Sequence, residues 1–228
     1  MIYTSEEQLV FLVNGCVNVD NENIEECKTA IGLKDDTGVY NSKNQSEWDI
    51  RYNYLLYNAE KYGFQCVKIE RTKLWTAIAA FNAQTKELFL FFKERTLKKI
   101  MNNPSNYHYL TILNIINSNL IPIQLNFFDS NIDPKVNNDY EVACQNLISD
   151  LNIVPESVIA CSFTKNSFKA NIFNNYQQLS ECIDLSHLIE PDYKSILNIT
   201  NTLVEPPIKK QHNKQKLKQR KRIVGLKK

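Results

Sequence analysis

The sequence predicts an α+β fold in which an antiparallel meander of three strands is covered by helices. Residues 65 to 92 contain three short apolar runs with strand periodicity, joined by tight turns. The segments on either side repeat apolar residues every three or four positions, as amphipathic helices do. With 43% hydrophobic residues among 228, the chain can bury a core of this kind.

The N-terminal part of the chain is predicted to form three helices. Thr4 followed by Glu7 resembles a capping box and would begin the first helix. Gly32 ends the second helix, and a loop rich in turn-forming residues, 34–46, separates it from the third. The three predicted helices cover residues 4–17, 21–31 and 48–62.

The central meander is predicted from strands 65–70, 74–81 and 87–92. Its second and third strands are apolar on both alternating faces, so both sides of the sheet must be covered. If residues 82–86 close the hairpin, Phe81 lies opposite Leu88 and Trp75 lies near Glu94.

The rest of the body continues the mixture of helices and strands. The predicted helices cover residues 96–101, 106–119 and 139–151, and the predicted strands cover 121–128, 157–164 and 167–173. The last two strands form a second, C-terminal hairpin around residues 165–166. The order of elements also suggests a weak internal duplication.

Residues 1–191 are expected to form a single body, with sub-boundaries near 103–106 or 129–138 as an open alternative. Residues 192–228 are expected to form a linker and a disordered basic tail, in which Pro206-Pro207 separates the basic part from the fold.

Charge is distributed unevenly along the chain. Residues 1–205 carry 17 basic and 25 acidic residues, and no acidic residue follows Glu205. Such an arm buries too little apolar surface to fold alone, and it gains affinity for a polyanion by releasing condensed counterions. The alternative is a solubilising tail, or one that docks on the acidic body. The basic residues of the arm are Lys209, Lys210, Lys214, Lys216, Lys218, Arg220, Lys221, Arg222, Lys227 and Lys228.

A second cationic group is predicted at one rim of the meander, where the end of the hairpin and the turn after the first strand meet. A guanidinium beside an indole at such a rim suits an anion or a nucleotide. The alternative is that this end reaches water and that Glu70 and Glu94 neutralise it locally. The rim residues are Arg71, Lys73, Trp75, Lys93 and Arg95.

The sequence does not support several other site chemistries. The cysteines form no CxxC pair, so they are interpreted as buried apolar residues, with no metal site. The five glycines are isolated, which excludes a glycine-rich phosphate loop, and no cofactor is predicted. A metal-dependent nuclease core needs an acid and an acid-x-Lys at strand ends, but Asn82 and Glu87 offer no lysine. His108 and His187 are interpreted as half-buried rather than catalytic.

No segment resembles a signal peptide, and no window is long and apolar enough to span a membrane. A cytoplasmic protein without membrane contact is therefore expected.

The segments TGVYNSKNQSEWDIRYNYL, VKIERTKLWTAIAAFNAQTKELFLFFKERTLKKI and HYL occur in this order. This pattern resembles a family of uncharacterised proteins from low-GC Gram-positive bacteria and their mobile elements, over about residues 5–120. The resemblance implies a bacterial protein encoded near helix-turn-helix regulators or in mobile regions, and so favours a role in phage defence or a toxin–antitoxin-like system. It implies no reaction and no site residues.

Together these patterns predict a bacterial or phage-related binding or regulatory protein that contacts DNA or RNA through its arm, with the rim as a second contact. Two alternatives stay open. One is a small toxin-like nuclease or nucleotide-modifying enzyme, and the other is a module whose acidic body binds a protein partner.

Overall fold

The computed structural model describes residues 1–19, 21–33, 40–72, 75–103, 108–120 and 138–190. The described helices and strands all belong to one compact unit. The basic arm and the predicted strand 121–128 lie outside the described residues. Within the described ranges, no helix is long and apolar enough to cross a membrane.

The described body is an α+β fold built on one mixed sheet, which confirms the predicted fold class. Its helices are α1 (Glu6–Val17), α2 (Asn21–Ala30), α3 (Lys43–Asn58), α4 (Glu94–Asn102), α5 (Tyr109–Leu113) and α6 (Asn138–Leu147). Its strands are β1 (Phe64–Thr72), β2 (Trp75–Asn82), β3 (Glu87–Lys93), β4 (Ser157–Phe163), β5 (Phe168–Phe173) and β6 (Leu179–Asp184). Short 3-10 helices cover Glu60–Tyr62, Asn114–Asn119 and Ser186–Leu188.

The sheet consists of two antiparallel meanders placed side by side. The six strands follow the order β1-β2-β3-β4-β5-β6, and β3 and β4 are parallel while all other neighbours are antiparallel. The predicted second hairpin is therefore confirmed as β4–β5, and β6 extends it by a strand that the sequence analysis did not predict.

Both faces of the central strands are covered, as the apolar pattern predicted. Phe89 and Phe91 of β3 pack on one face with Phe11 of α1 and Leu55 of α3. Leu88, Leu90 and Phe92 pack on the opposite face with residues of α4, α5 and α6. A parallel connection requires a long crossover, and the segment between β3 and β4 contributes these three helices to that second face.

The predicted hairpin register is confirmed, but it ends early. Phe81 lies opposite Leu88, and the regular pairing of β2 with β3 runs only as far as Ala79 and Leu90. Beyond that point β3 pairs with β4 up to its last residue. Glu94 begins α4, so it does not continue the strand toward Trp75 as the extended register predicted.

The predicted capping box at the start of α1 is wrong by one residue. Ser5 is the N-cap and forms the box with Gln8. Thr4 is excluded from this role because its backbone N–H and its hydroxyl both donate hydrogen bonds to Glu87. Helix α3 also begins earlier than predicted, within the segment interpreted as a loop.

Glu87 holds the N-terminal segment on the first residue of β3. Its side chain is only 1% exposed, and its two oxygens accept hydrogen bonds from Tyr3 N at 2.8 Å and from Thr4 N and Oγ1 at 2.8 and 2.6 Å. The amide of Asn82 donates to Thr4 Oγ1 and to Gln8 Oε1. The two residues considered as a nuclease pair therefore make structural contacts in the described part of the chain.

Substitution Glu87→Gln is expected to lower the free energy of unfolding by about 2–3 kcal/mol, because an amide nitrogen would face a backbone or hydroxyl donor in a buried site. Urea denaturation measures this loss. The matched control is Glu156→Gln, since Glu156 is exposed and pairs with Lys86 at the same end of the sheet. The control should cost less than about 1 kcal/mol, and equal losses would contradict the buried role of Glu87.

Candidate functional site

The structure describes only part of the predicted rim. Trp75 is the first residue of β2, Lys93 is the last residue of β3, and Arg95 is exposed in the first turn of α4. The backbone of Arg71 belongs to β1, but its side chain is outside the description, and so is the whole of Lys73. All ten basic residues of the arm, from Lys209 to Lys228, also lie outside the described residues.

Trp75 and Lys93 both lie at the end of the sheet where parallel strands β3 and β4 finish. Lys93 lies beside Phe163 in the register of these strands. The carboxyl ends of neighbouring parallel strands often border a ligand crevice, because the chain leaves the sheet there in different directions. Helix α3 crosses this end and contacts Trp75 through Trp48 and Lys93 through Glu47.

Three aromatic rings form the apolar part of the site. The centroid of the Trp48 ring lies 6.3 Å from that of Trp75 and 5.5 Å from that of Phe163, at interplanar angles of 81° and 71°. These edge-to-face contacts are favourable for aromatic pairs and hold the rings in defined orientations. Tyr52 packs against Trp48 from within α3, with 4.9 Å between the ring centroids.

Two cations share one carboxylate in the charged part of the site. Glu47 Oε2 lies 3.3 Å from Arg51 Nη1 and 3.5 Å from Lys93 Nζ. These three groups sum to one positive charge. We call the six residues Glu47, Trp48, Arg51, Trp75, Lys93 and Phe163 the α3 edge cluster.

Arg51 has a structural role within the α3 edge cluster. It is only 7% exposed, and its Nε donates a hydrogen bond of 2.6 Å to the carbonyl of Cys16, in the last turn of α1. A cation at that position complements the negative end of a helix. Its guanidinium also lies over the Phe163 ring, at 5.5 Å from the centroid. Arg51 therefore ties α3 to α1 and to the sheet.

Lys93 is the more accessible cation of the cluster. Its side chain is 37% exposed, and its separation from Glu47 is at the limit of a hydrogen bond. Partly exposed ion pairs of this kind contribute little to stability, so little free energy opposes a change of partner. An anionic group that approaches this edge can replace Glu47 as the partner of the ammonium.

Further basic side chains at this end of the sheet lie beside acids, Lys98 beside Glu94 and Lys169 opposite Asp184. Lys98 forms an ion pair with Glu94 in α4, and its hydrogen bond lowers the pKa of that carboxyl, with a smaller contribution from Lys169 of β5. Arg95, which lies between Glu94 and Lys98 in the sequence, is exposed. The sequence analysis identified Lys93 and Arg95 here but not Lys98 or Lys169.

Sequence reasoning missed Glu47, Trp48, Arg51 and Phe163 as site residues. The spacing of Glu47 and Arg51 on a helix is a signal for an ion pair and could have identified that pair. No local sequence pattern could have indicated the contacts of Trp48 with Phe163 or of Glu47 with Lys93, because α3 is far from β3 and β4 in the chain.

A separate cavity of about 740 Å³ lies between β1, α5 and α6. Its polar lining combines Lys68 with Glu70, Asp150 and His108, a mixture of charges that does not favour a polyanion. His108 caps α5, since its Nδ1 accepts a hydrogen bond from Leu110 N. Among the described residues, no three His, Cys, Asp or Glu side chains lie together as metal ligands would.

The cysteines are free thiols, and three of the six are buried. Burial raises the pKa of Cys66 to about 12 and that of Cys144 to about 11, and it raises the pKa of Cys161 as well. These three thiols therefore stay protonated near neutral pH, where a nucleophile or a metal ligand must be a thiolate. The prediction of buried apolar cysteines is confirmed for Cys16, Cys144 and Cys161, whereas Cys182 is exposed.

Residues 17–227 match the model of a family described as a family of unknown function, DUF5986. The chain belongs to this family. No curated protein and no solved structure matches it. The family match supports the predicted resemblance to an uncharacterised family and extends it to the C-terminal half of the chain. The bacterial range and the link to mobile elements stay predictions.

The two cations that share Glu47 are expected to differ in their effect on stability. Arg51→Met should lower the free energy of unfolding by about 3 kcal/mol, because it removes a buried charge together with its hydrogen bond to the Cys16 carbonyl and its ion pair with Glu47. Lys93→Met is the matched control and should cost less than about 1 kcal/mol. Urea denaturation of both variants measures the difference, and a larger loss at Lys93 would contradict its assignment as the accessible cation.

Proposed function

We propose that this protein is a bacterial or phage-related binding protein that contacts nucleic acid through its basic C-terminal arm and through the α3 edge cluster. The observation that carries the proposal is that the fold brings Trp75 and Lys93 to neighbouring residues of α3. An indole and a half-exposed ammonium at one end of the sheet can combine stacking on a base with contact to a phosphate.

The arm supplies the sequence-independent part of the affinity. The arm carries ten cations, and no acid follows Glu205. Each cation can neutralise a phosphate and release a condensed counterion. Because the arm and the edge belong to one chain, binding through one raises the effective concentration of nucleic acid at the other. A regulatory role in phage defence or in a toxin–antitoxin-like system is consistent with a non-enzymatic cytoplasmic protein of this kind.

Replacement of all ten basic residues of the arm by Gln, in the full-length chain, is expected to lower affinity for DNA and RNA by at least tenfold at low salt. It should also flatten the salt dependence, since a protein with 6–10 phosphate contacts loses about 10³–10⁵ in affinity between about 50 and 200 mM salt. Fluorescence anisotropy with labelled oligonucleotides measures both quantities. Truncation after Pro207 gives a second variant with the same expected loss.

Unchanged affinity in both arm variants would contradict the role of the arm. The same samples, incubated with Mg²⁺ and with a chelator, test the enzymatic alternative, since metal-dependent cleavage of the oligonucleotide would contradict a pure binding function. A stoichiometric protein that co-purifies after nuclease treatment, with no retained nucleic acid, would favour the acidic body as a protein-binding module.

A further inference from the structure

We propose that the α3 edge cluster binds single-stranded nucleic acid, with one unstacked base on the Trp75 indole and a neighbouring phosphate on Lys93. The inference rests on the proposed function and adds to it the class of strand that the folded body selects. It depends on the aromatic and charged contacts around α3, independently of the arm.

The aromatic part of the cluster presents an indole with a fixed orientation. Trp48 is held between Phe163 and Tyr52, at 5.5 and 4.9 Å between ring centroids. Trp75 packs against Trp48 edge to face and is only partly buried at the beginning of β2. Both indoles are partly buried, but Trp48 has three of the described ring contacts and Trp75 has one, so we assign Trp48 as the support and Trp75 as the ring that a base would reach.

A base can stack on such a ring only when its face is exposed. In a duplex both faces of each base are covered by neighbouring base pairs, whereas a single strand can turn a base outward at low cost. The alternative mode, reading base edges in a groove, requires an element that enters the groove with polar side chains. The α3 edge cluster offers an aromatic ring instead, which favours a single strand.

The charged part of the cluster can exchange its carboxylate for a phosphate without leaving a buried charge unpaired. Glu47 is held by Arg51 at 3.3 Å as well as by Lys93 at 3.5 Å. When Lys93 turns to a phosphate, Glu47 keeps its guanidinium partner. Lys93 contacts Glu47 and Trp75 contacts Trp48, which are consecutive residues of α3, so the ammonium and the indole both reach the same turn of that helix.

Tryptophan fluorescence reports on this cluster alone, because the chain contains two tryptophans, Trp48 and Trp75, and both belong to it. Titration of the full-length protein with a single-stranded oligo(dT) or oligo(U) should quench the emission saturably. A blunt duplex of the same length should bind through the arm and quench little.

Trp75→Ala is expected to lower affinity for the single strand by about 5- to 150-fold, the range for one base stacked on an aromatic side chain, and to leave duplex affinity unchanged. Lys93→Gln should weaken single-strand binding and reduce the salt slope by about one. Tyr57→Ala is the matched control, since Tyr57 is an aromatic residue of α3 with 79% exposure outside the cluster, and it should change neither affinity. Unfolding midpoints of the variants show whether any loss comes from misfolding, and Lys93→Gln tests the site with its rings intact.

The inference would be overturned if single strand and duplex bound equally and neither Trp75→Ala nor Lys93→Gln changed single-strand affinity. In that case loss of binding in the arm variant would still support the proposed function. If full-length protein bound neither form at low salt, the proposed function would fail together with the inference. Strong quenching by single strand in the arm variant would support the inference even where overall affinity is low.

Discussion

The parallel pairing of β3 with β4 is the constraint on which the rest of this fold depends. It joins seven consecutive residues of each strand in the middle of the sheet, and both strands are apolar on each face. Strands buried on both sides need a layer of helices on each face. A parallel pair also needs a crossover, and the chain between the two strands supplies α4, α5 and α6 to one face. Helices α1 and α3 cover the opposite face.

The same pairing gives the two ends of β3 opposite roles. At its first residue, the buried carboxylate of Glu87 accepts three hydrogen bonds and holds the N-terminal segment. At its last residue, Lys93 reaches the edge where β4 also ends, and it is half exposed beside the rings of the α3 edge cluster. A fully satisfied buried acid contributes to stability, whereas a weakly paired cation can change partner. Stability and the proposed binding are thus separated along one strand.

Much of the first meander could be predicted from sequence because its contacts are local. The register of Phe81 opposite Leu88 follows from the short turn between their strands, and the need for two helical layers follows from the apolar pattern. The parallel pair could not be predicted, since β3 and β4 are separated by more than sixty residues and neither strand encodes its partner. Trp75 and Lys93 were predicted to share one rim through continued hairpin pairing. In the structure the regular pairing ends before these residues, and each of them contacts α3.

Asparagine shows a second limit of reading the sequence alone. The chain contains 28 asparagines, and several of them satisfy buried backbone groups. Asn14 donates to Leu188 O and accepts from Glu190 N, and the side chain of Asn117 bonds both to Val158 and to the carbonyl of Phe173. Such side chains replace backbone partners where the chain leaves regular structure. Their role depends on long-range neighbours, which the sequence does not show.

Native-state hydrogen exchange of the backbone amides tests the central role of the β3–β4 pair most directly. If this pair unites the two meanders, the amides of residues 88–92 and 158–162 should exchange most slowly. Their free energies of exchange should all equal the free energy of global unfolding. The account would be contradicted if residues 157–184 exchanged as a separate unit, faster than residues 64–93. Their free energy of exchange would then lie well below that of global unfolding.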